Sequence, residues 1–286
     1  MRTSAIWFLV LTRVGATAAA EDLPESLLRQ GQAALRGDDF ERANELGRKA
    51  LALAEKEVER DPKSTRAHLL LGGAHDLLGQ HSKAVADFTR VLELDPKAAQ
   101  ALDLRGSSYF KLGKIAESLA DFNRYLKARP KEFAGHWRRG ITLYYAGKYD
   151  EGRKQFEGYE KVDTNDVENA VWHFLCVARK DGVAKARASI LKIGKDARVP
   201  MMEVYDLFRG KAKPEDVLKA AGQGKPGSAR RNNQLFYAHL YLGLYAEATG
   251  DGKRALEHLN AATDKHRIGH YMWDVARVHR NLLRKK

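Results

Sequence analysis

Two imidazoles four residues apart on one helix can share a metal ion, and His266 and His270 have that spacing. Gly269 falls between them at a helix junction, and neither an H-E-x-x-H arrangement nor a carboxylate cluster accompanies them, so no metal site is expected. Cys176 is the single cysteine, which excludes an internal disulfide. It lies in the apolar stretch from Val171 to Val177, where a thiol packs as a small hydrophobe and is not a nucleophile. The G-x-x-x-x-G-K-[ST] phosphate loop and the G-x-S-x-G elbow are missing, and no G-x-G-x-x-G follows a strand. Catalytic, cofactor-binding and metal-binding residues are therefore expected to be none.

The formal net charge of +13 is spread unevenly along 286 residues. Residues 21–62 carry eleven acids against seven bases, whereas residues 179–231 carry fourteen bases against six acids. Acidic partners fit such a balance. Nucleic acid is not favoured, because the bases follow helical faces without interleaved stacking aromatics or a recognisable nucleic-acid module.

The elements that must position any functional residue are helices in a repeat. Gly72, Gly106 and Gly140 recur 34 residues apart, and so do Gly79, Gly113 and Gly147, and Phe88, Phe122 and Phe156. Pro62, Pro96 and Pro130 keep the same step. Physically, the first glycine lets two helices approach closely, the second ends a helix in the left-handed conformation, and proline stops the next helix because it has no N–H to donate. A later unit is read from Gly243, Gly250, Ala255, Leu259 and Ala262, and a closing helix from His270 to Leu283. Between them, helices are expected over Val167 to Lys180, Val183 to Ile193, Met201 to Phe208 and Pro214 to Ala221, with a linker at Gln223 to Ser228. The first hairpin spans 25 residues from Gly37 to Pro62 where the next spans 17 from Gly79 to Pro96, so its second helix should be about two turns longer.

This pattern resembles the tetratricopeptide repeat, whose 34-residue unit carries Leu-Gly, a small residue, an aromatic and a closing proline, the last closing position here being Thr164. The resemblance implies an all-α, right-handed superhelical solenoid of antiparallel helix pairs that binds proteins or peptides without catalysis. Arg105 and Arg139 replace the leucine that the family places seventh, and are expected to snorkel between helices. His68, His136 and His239 fall at the fourth position, which the family reserves for packing. The concave face implied by the family contains Arg66, Asp76, Asp103, Phe110, Trp137 and Tyr144, the aromatics being candidate binding anchors. The family's carboxylate clamp of Lys and Asn is missing, since Leu69, Gly73, Asp103 and Ser107 stand in its place.

At the N-terminus, Arg2, an apolar run from Ala5 to Leu11 and the small residues Ala18-Ala19-Ala20 have the layout of a secretory signal over residues 1–20. No other stretch approaches the ~18 apolar residues of a membrane span. The expected organisation continues with an irregular hairpin (21–62), three in-register units (65–166), off-period helical pairs and a linker (167–232), and a last unit with its closing helix (233–286). The order of parts, with Leu240-Tyr241-Leu242-Gly243 before Gly250-Asp251 and a short Met202 to Gly210 helix before Pro214, also resembles the NlpI family of bacterial envelope lipoproteins. That resemblance implies an exported adaptor, periplasmic or extracellular, docking peptidoglycan hydrolases or a protease. The family's lipid-bearing cysteine has no counterpart here, so no lipid anchor is expected. The alternative reading is a binder of nucleic acid or of another anionic polymer, such as one of the envelope, through the basic C-terminal half.

Overall fold

The computed structural model describes residues 23–285, which excludes the expected signal segment. Fifteen α-helices follow one another in the described residues, without a β-strand. The first eight form four antiparallel hairpins: α1 (Pro24–Arg36) with α2 (Phe40–Arg60), α3 (Thr65–Leu77) with α4 (His81–Leu94), α5 (Ala99–Lys111) with α6 (Ile115–Ala128), and α7 (Trp137–Tyr145) with α8 (Tyr149–Tyr159). α2 has 21 residues where α4 has 14. No described helix is long and apolar enough to cross a membrane.

Glycine and phenylalanine lock the hairpins together. A Cβ placed on Gly72 would stand 2.6 Å from the Phe88 ring, on Gly106 2.9 Å from Phe122, and on Gly140 2.6 Å from Phe156. The three rings are all but inaccessible to solvent, so any side chain at these glycines displaces the core. The later hairpin repeats the device with Gly243 against Leu259. Turn glycines 79, 113 and 147 share φ near 72°, a conformation costly for other residues.

The arginines at the leucine position form a polar clamp that itself repeats. Arg105 makes a two-pronged contact with the buried Asp121 (2.7 and 2.9 Å) and donates to Thr89 Oγ1 (3.0 Å). One unit later, Arg139 donates to Gln155 Oε1 (2.9 Å) and Asn123 Oδ1 (2.7 Å). Each arginine thus ties its own second helix to that of the preceding unit. The third unit departs locally: a short 3-10 turn at Pro130–Glu132 delays α7, and His136 caps its N-terminus by accepting from the Arg139 N–H.

Beyond α8 the array continues with α9 (Val167–Asp181), α10 (Val183–Ala188), α11 (Met201–Phe208), α12 (Pro214–Ala221), α13 (Ala229–Ala248) and α14 (Gly252–Asn260). A π-helical turn at Ala261–Lys265 leads to α15 (Tyr271–Leu283). The helix expected to reach Ile193 ends at Ala188 instead. There the Tyr205 hydroxyl donates to the Leu191 carbonyl (2.9 Å) and accepts from the Ile193 N–H (3.3 Å), supplying partners to backbone that a helix would otherwise satisfy.

The two ends of the solenoid meet. The segment from His266 into α15 runs across the concave face and packs on α5 and α7, with Tyr271 stacked on Phe110 (centroids 5.5 Å) and edge-on to Trp137 (5.4 Å). Arg277 donates to the Lys111 carbonyl (2.6 Å), and the Tyr145 hydroxyl meets His279 Nδ1 (3.0 Å). Asp38, held at φ 61°, accepts from the Gly269 N–H (2.6 Å) and from the Asn233 amide. A Cβ on Gly269 would overlap the Leu35 carbonyl oxygen, so the closure requires glycine.

Candidate binding groove

The concave-face residues are dispersed by this closure. Phe110 is fully buried beneath Tyr271, and Tyr144 is 5 % exposed among Tyr145, Tyr149 and Trp172. Both are core residues, which corrects the expectation that they stand open as anchors: the chain's own C-terminal segment and α9 cover them. Burial drives the Tyr144 hydroxyl far above its ordinary pKa, and Arg179 donates to it (3.1 Å) while pairing with Glu247 (2.6 Å). Trp137 is half-buried, its ring against His270 and Tyr271.

The polar positions serve structure first. Arg66 is exposed and joins Glu57 (2.6 Å) and Glu25, fastening α3 to the first hairpin at a distance from the other five. Asp76 receives bonds from Lys111 (2.6 Å), His81 (2.9 Å) and Ser108 (3.1 Å). Burial opposes its charge, but Lys111 and His81 outweigh it and hold the carboxyl well below the usual range. Asp103 likewise pays a burial penalty that His136 (2.9 Å) and Arg138 (2.7 Å) overcome, leaving its pKa lowered. It lines a separate hollow of about 500 Å³ with Trp137 and Arg138.

Two cavities flank the closing segment. The larger, about 590 Å³, lies between it and the first three hairpins, with Leu77, Leu78 and Leu112 as apolar floor. Arg267 projects at its edge, its guanidinium 4.5 Å from the centre of the Phe40 ring and 5.3 Å from that of Trp273. No carboxylate pairs with Arg267 among the described residues, whereas Arg277 and Lys111 hold Asp274 and Asp76. Sequence reasoning passed over Arg267 because it sits off the repeat, beside a glycine that read only as a junction. The smaller cavity, about 190 Å³, lies between α7, α8, α9 and the segment's other flank, where His270 and Met272 line it.

The histidines and Cys176 do not assemble a reaction centre. His266 donates through Nδ1 to Asn232 Oδ1 (3.1 Å) and stacks on His239, which meets His258 through Nδ1 atoms 3.0 Å apart. One imidazole of that pair must be neutral to accept. Burial, with the neighbouring imidazoles, brings His239 down to about 4. Half-burial of His239 also departs from the expected core position, while His68 and His136 are buried. No group of three or more potential ligands is arranged for a metal among the described residues. Cys176 is buried against Gly152, and burial pushes its thiol pKa up.

No curated protein sequence matches the chain. Among solved structures it is similar to a tetratricopeptide repeat protein from Parabacteroides merdae (16% identity, TM-score 0.49, covering 91% of this chain and 98% of that one). It is also similar to MamA (16%, 0.44, 67% and 94%) and to YrrB, described as having an unusual peptide-binding site (17%, 0.41, 78% and 95%). The tetratricopeptide repeat profile matches residues 28–99 and 104–166. With that match falling on the glycine–phenylalanine hairpins described above, residues 28–99 and 104–166 of this chain are built on tetratricopeptide repeats.

Proposed function

We propose that the chain is a non-enzymatic scaffold that holds a segment of another protein in the 590 Å³ hollow between its first three hairpins and its closing segment. The observation that carries this reading is Arg267, a cation between two aromatic faces at the edge of an apolar floor, with no carboxylate paired to it among the described residues. Such a site suits an apolar peptide bearing an acidic residue. Of the basic half, Arg179, Lys180, Arg198 and Arg209 are already engaged by Glu247, Asp150, Asp196 and Asp206 and are not free for a polyanion.

Panning the protein against a random dodecapeptide library tests the reading. Acidic–apolar peptides should be enriched, and Arg267→Gln with Leu112→Asp should abolish their binding while helical content is kept. Charge reversal at Lys211, Lys213 and Lys219 should leave binding unchanged. Enriched peptides that bind the groove variant as well as the parent, or that are lost only with the lysine reversal, would overturn it. The reading extends to an exported adaptor of the bacterial envelope, supported by the residues 5–20 pattern. Recovery of a mature chain starting near Glu21 from an extracytoplasmic fraction is the expected result, and an intact Met1 on cytosolic protein refutes it.

A further inference from the structure

The 190 Å³ cavity on the far flank of the closing segment is built differently from the larger hollow. Its size is below the ~300–1,000 Å³ of sites for drug-sized ligands and suits one amino-acid residue. Trp137, Phe156, Tyr159 and Trp172 supply apolar walls. On α9, Asn169 and Trp172 line it one turn apart, 4 % and 2 % exposed. Asn169 spends its amide N–H on the Phe156 carbonyl (2.9 Å), leaving Oδ1 buried without a donor among the described residues. The Trp172 indole N–H is likewise buried without an acceptor among them. Residues three apart on a helix face the same way, about 5–6 Å between Cβ atoms, so one small ligand can reach both.

The charges at the mouth are unbalanced. Among the described residues one guanidinium, Arg198, serves three carboxylates, Asp166 (2.7 Å), Glu168 (2.7 Å) and Asp196 (2.6 Å). Asp166, Glu168 and Arg198 all line the cavity, so with Glu168 ionised its lining holds one more carboxylate than guanidinium. We propose that this cavity receives an aminoacyl group: a free α-ammonium at Glu168, Asp166 and Asn169 Oδ1, its carbonyl accepting from the Trp172 indole, and an apolar side chain against the aromatic walls. A primary α-ammonium beside a carbonyl is the common group that answers one orphaned acceptor, one orphaned donor and a missing cation together. Glu168 agrees independently: burial, with Asp166 beside it, raises its carboxyl from an ordinary 4.5 to about 7, as a carboxylate short of countercharge should behave. The inference does not rest on peptide docking in the larger hollow, whose lining shares only His270 with this one.

The group could come from the N-terminus of a polypeptide or from a free amino-acid amide, and the experiment separates them. Quenching of tryptophan emission, with Trp137 and Trp172 in the walls, is followed in the unmodified protein during titration with L-leucinamide and with Leu-Gly-Gly, each beside its N-acetylated form. Free amines should saturate the signal, and acetylation should weaken binding roughly tenfold or more. Peptide binding at least as tight as the amide assigns the site to chain termini; saturation by the amide alone assigns it to a small amine. Equal binding of acetylated and free forms, or no saturation by either amine, overturns the proposal without recourse to a variant. Glu168→Gln, checked for fold by circular dichroism, should weaken free-amine binding and leave the acetylated forms unaffected.

Discussion

Tyr271 is the residue at which the closing segment can be tested most directly. Its ring stacks on Phe110, meets Trp137 edge-on and lies under the Lys111 ammonium at 6.0 Å. Its hydroxyl is buried without a hydrogen-bond partner among the described residues. Each ring pair is worth ~0.5–1.5 kcal/mol beyond area burial. Truncating a buried aromatic costs ~3–5 kcal/mol. The ring is half-buried, so Tyr271→Ala should cost about 3 kcal/mol, the lower end of that range. Tyr271→Phe should act in the opposite sense, because it deletes a desolvated hydroxyl and leaves no orphan behind: neutral to about 1 kcal/mol stabilising. Urea unfolding followed by far-UV circular dichroism gives the global values. Hydrogen exchange then locates the change, which in the alanine variant should fall on α15, α5 and α7, since a repeat array can open in parts. A phenylalanine variant destabilised by more than about 1 kcal/mol would mean the hydroxyl is engaged. An alanine variant within about 0.5 kcal/mol of the parent, with α15 amides unchanged, would mean the segment is not docked on the concave face.

Three further outcomes are expected. Phe122→Ala should cost ~3–5 kcal/mol in chemical denaturation, since the ring is fully buried against Gly106 and contacts His136 at 4.8 Å. Arg105→Leu, although it restores the residue usual at that position, should destabilise by ~3–5 kcal/mol because Asp121 would remain charged and buried; adding Asp121→Leu should recover most of the loss. Glu168 has its pKa raised on folding, from 4.5 to about 7, so the native state binds the proton more tightly. Its contribution is full below pH 4.5 and declines as pH rises through 7, and unfolding free energies across that window should slope downward on the order of 3 kcal/mol less steeply in Glu168→Gln.

The hairpins were readable in the sequence because their packing is a short-range steric rule: a glycine on one helix, a ring sixteen residues later on the next, repeated in step, leaves few alternatives. The arginine clamp was half-readable. Arg105 and Arg139 stood out as departures, but their partners Asp121 and Gln155, also one repeat apart, were silent until the helices were set side by side. The concave positions were placed on the right helices, yet their accessibility depended on what covers them. That cover comes from Gly269 to Arg277, beyond the last repeat glycine, and no periodicity links those residues to Leu35, Asp38 or Phe110. The smaller cavity was hidden for a similar reason. Glu168 and Arg198 lie in the off-period stretch, thirty positions apart, and only the non-helical path after Ala188 brings them together.

Joining Asp38 to Gly269 alters how such a chain can evolve. In an open array each unit answers only to its neighbours, so duplication or loss of one changes the length and little else. Here a thirty-four-residue insertion anywhere between the two would rotate and translate one terminus away from the other. The Gly269 backbone would leave the Leu35 carbonyl, and Tyr271 would leave Phe110. Unit number is therefore a fixed parameter of this molecule, as it is in a propeller of set blade count, and diversification is confined to substitutions within units and to the irregular stretch between them.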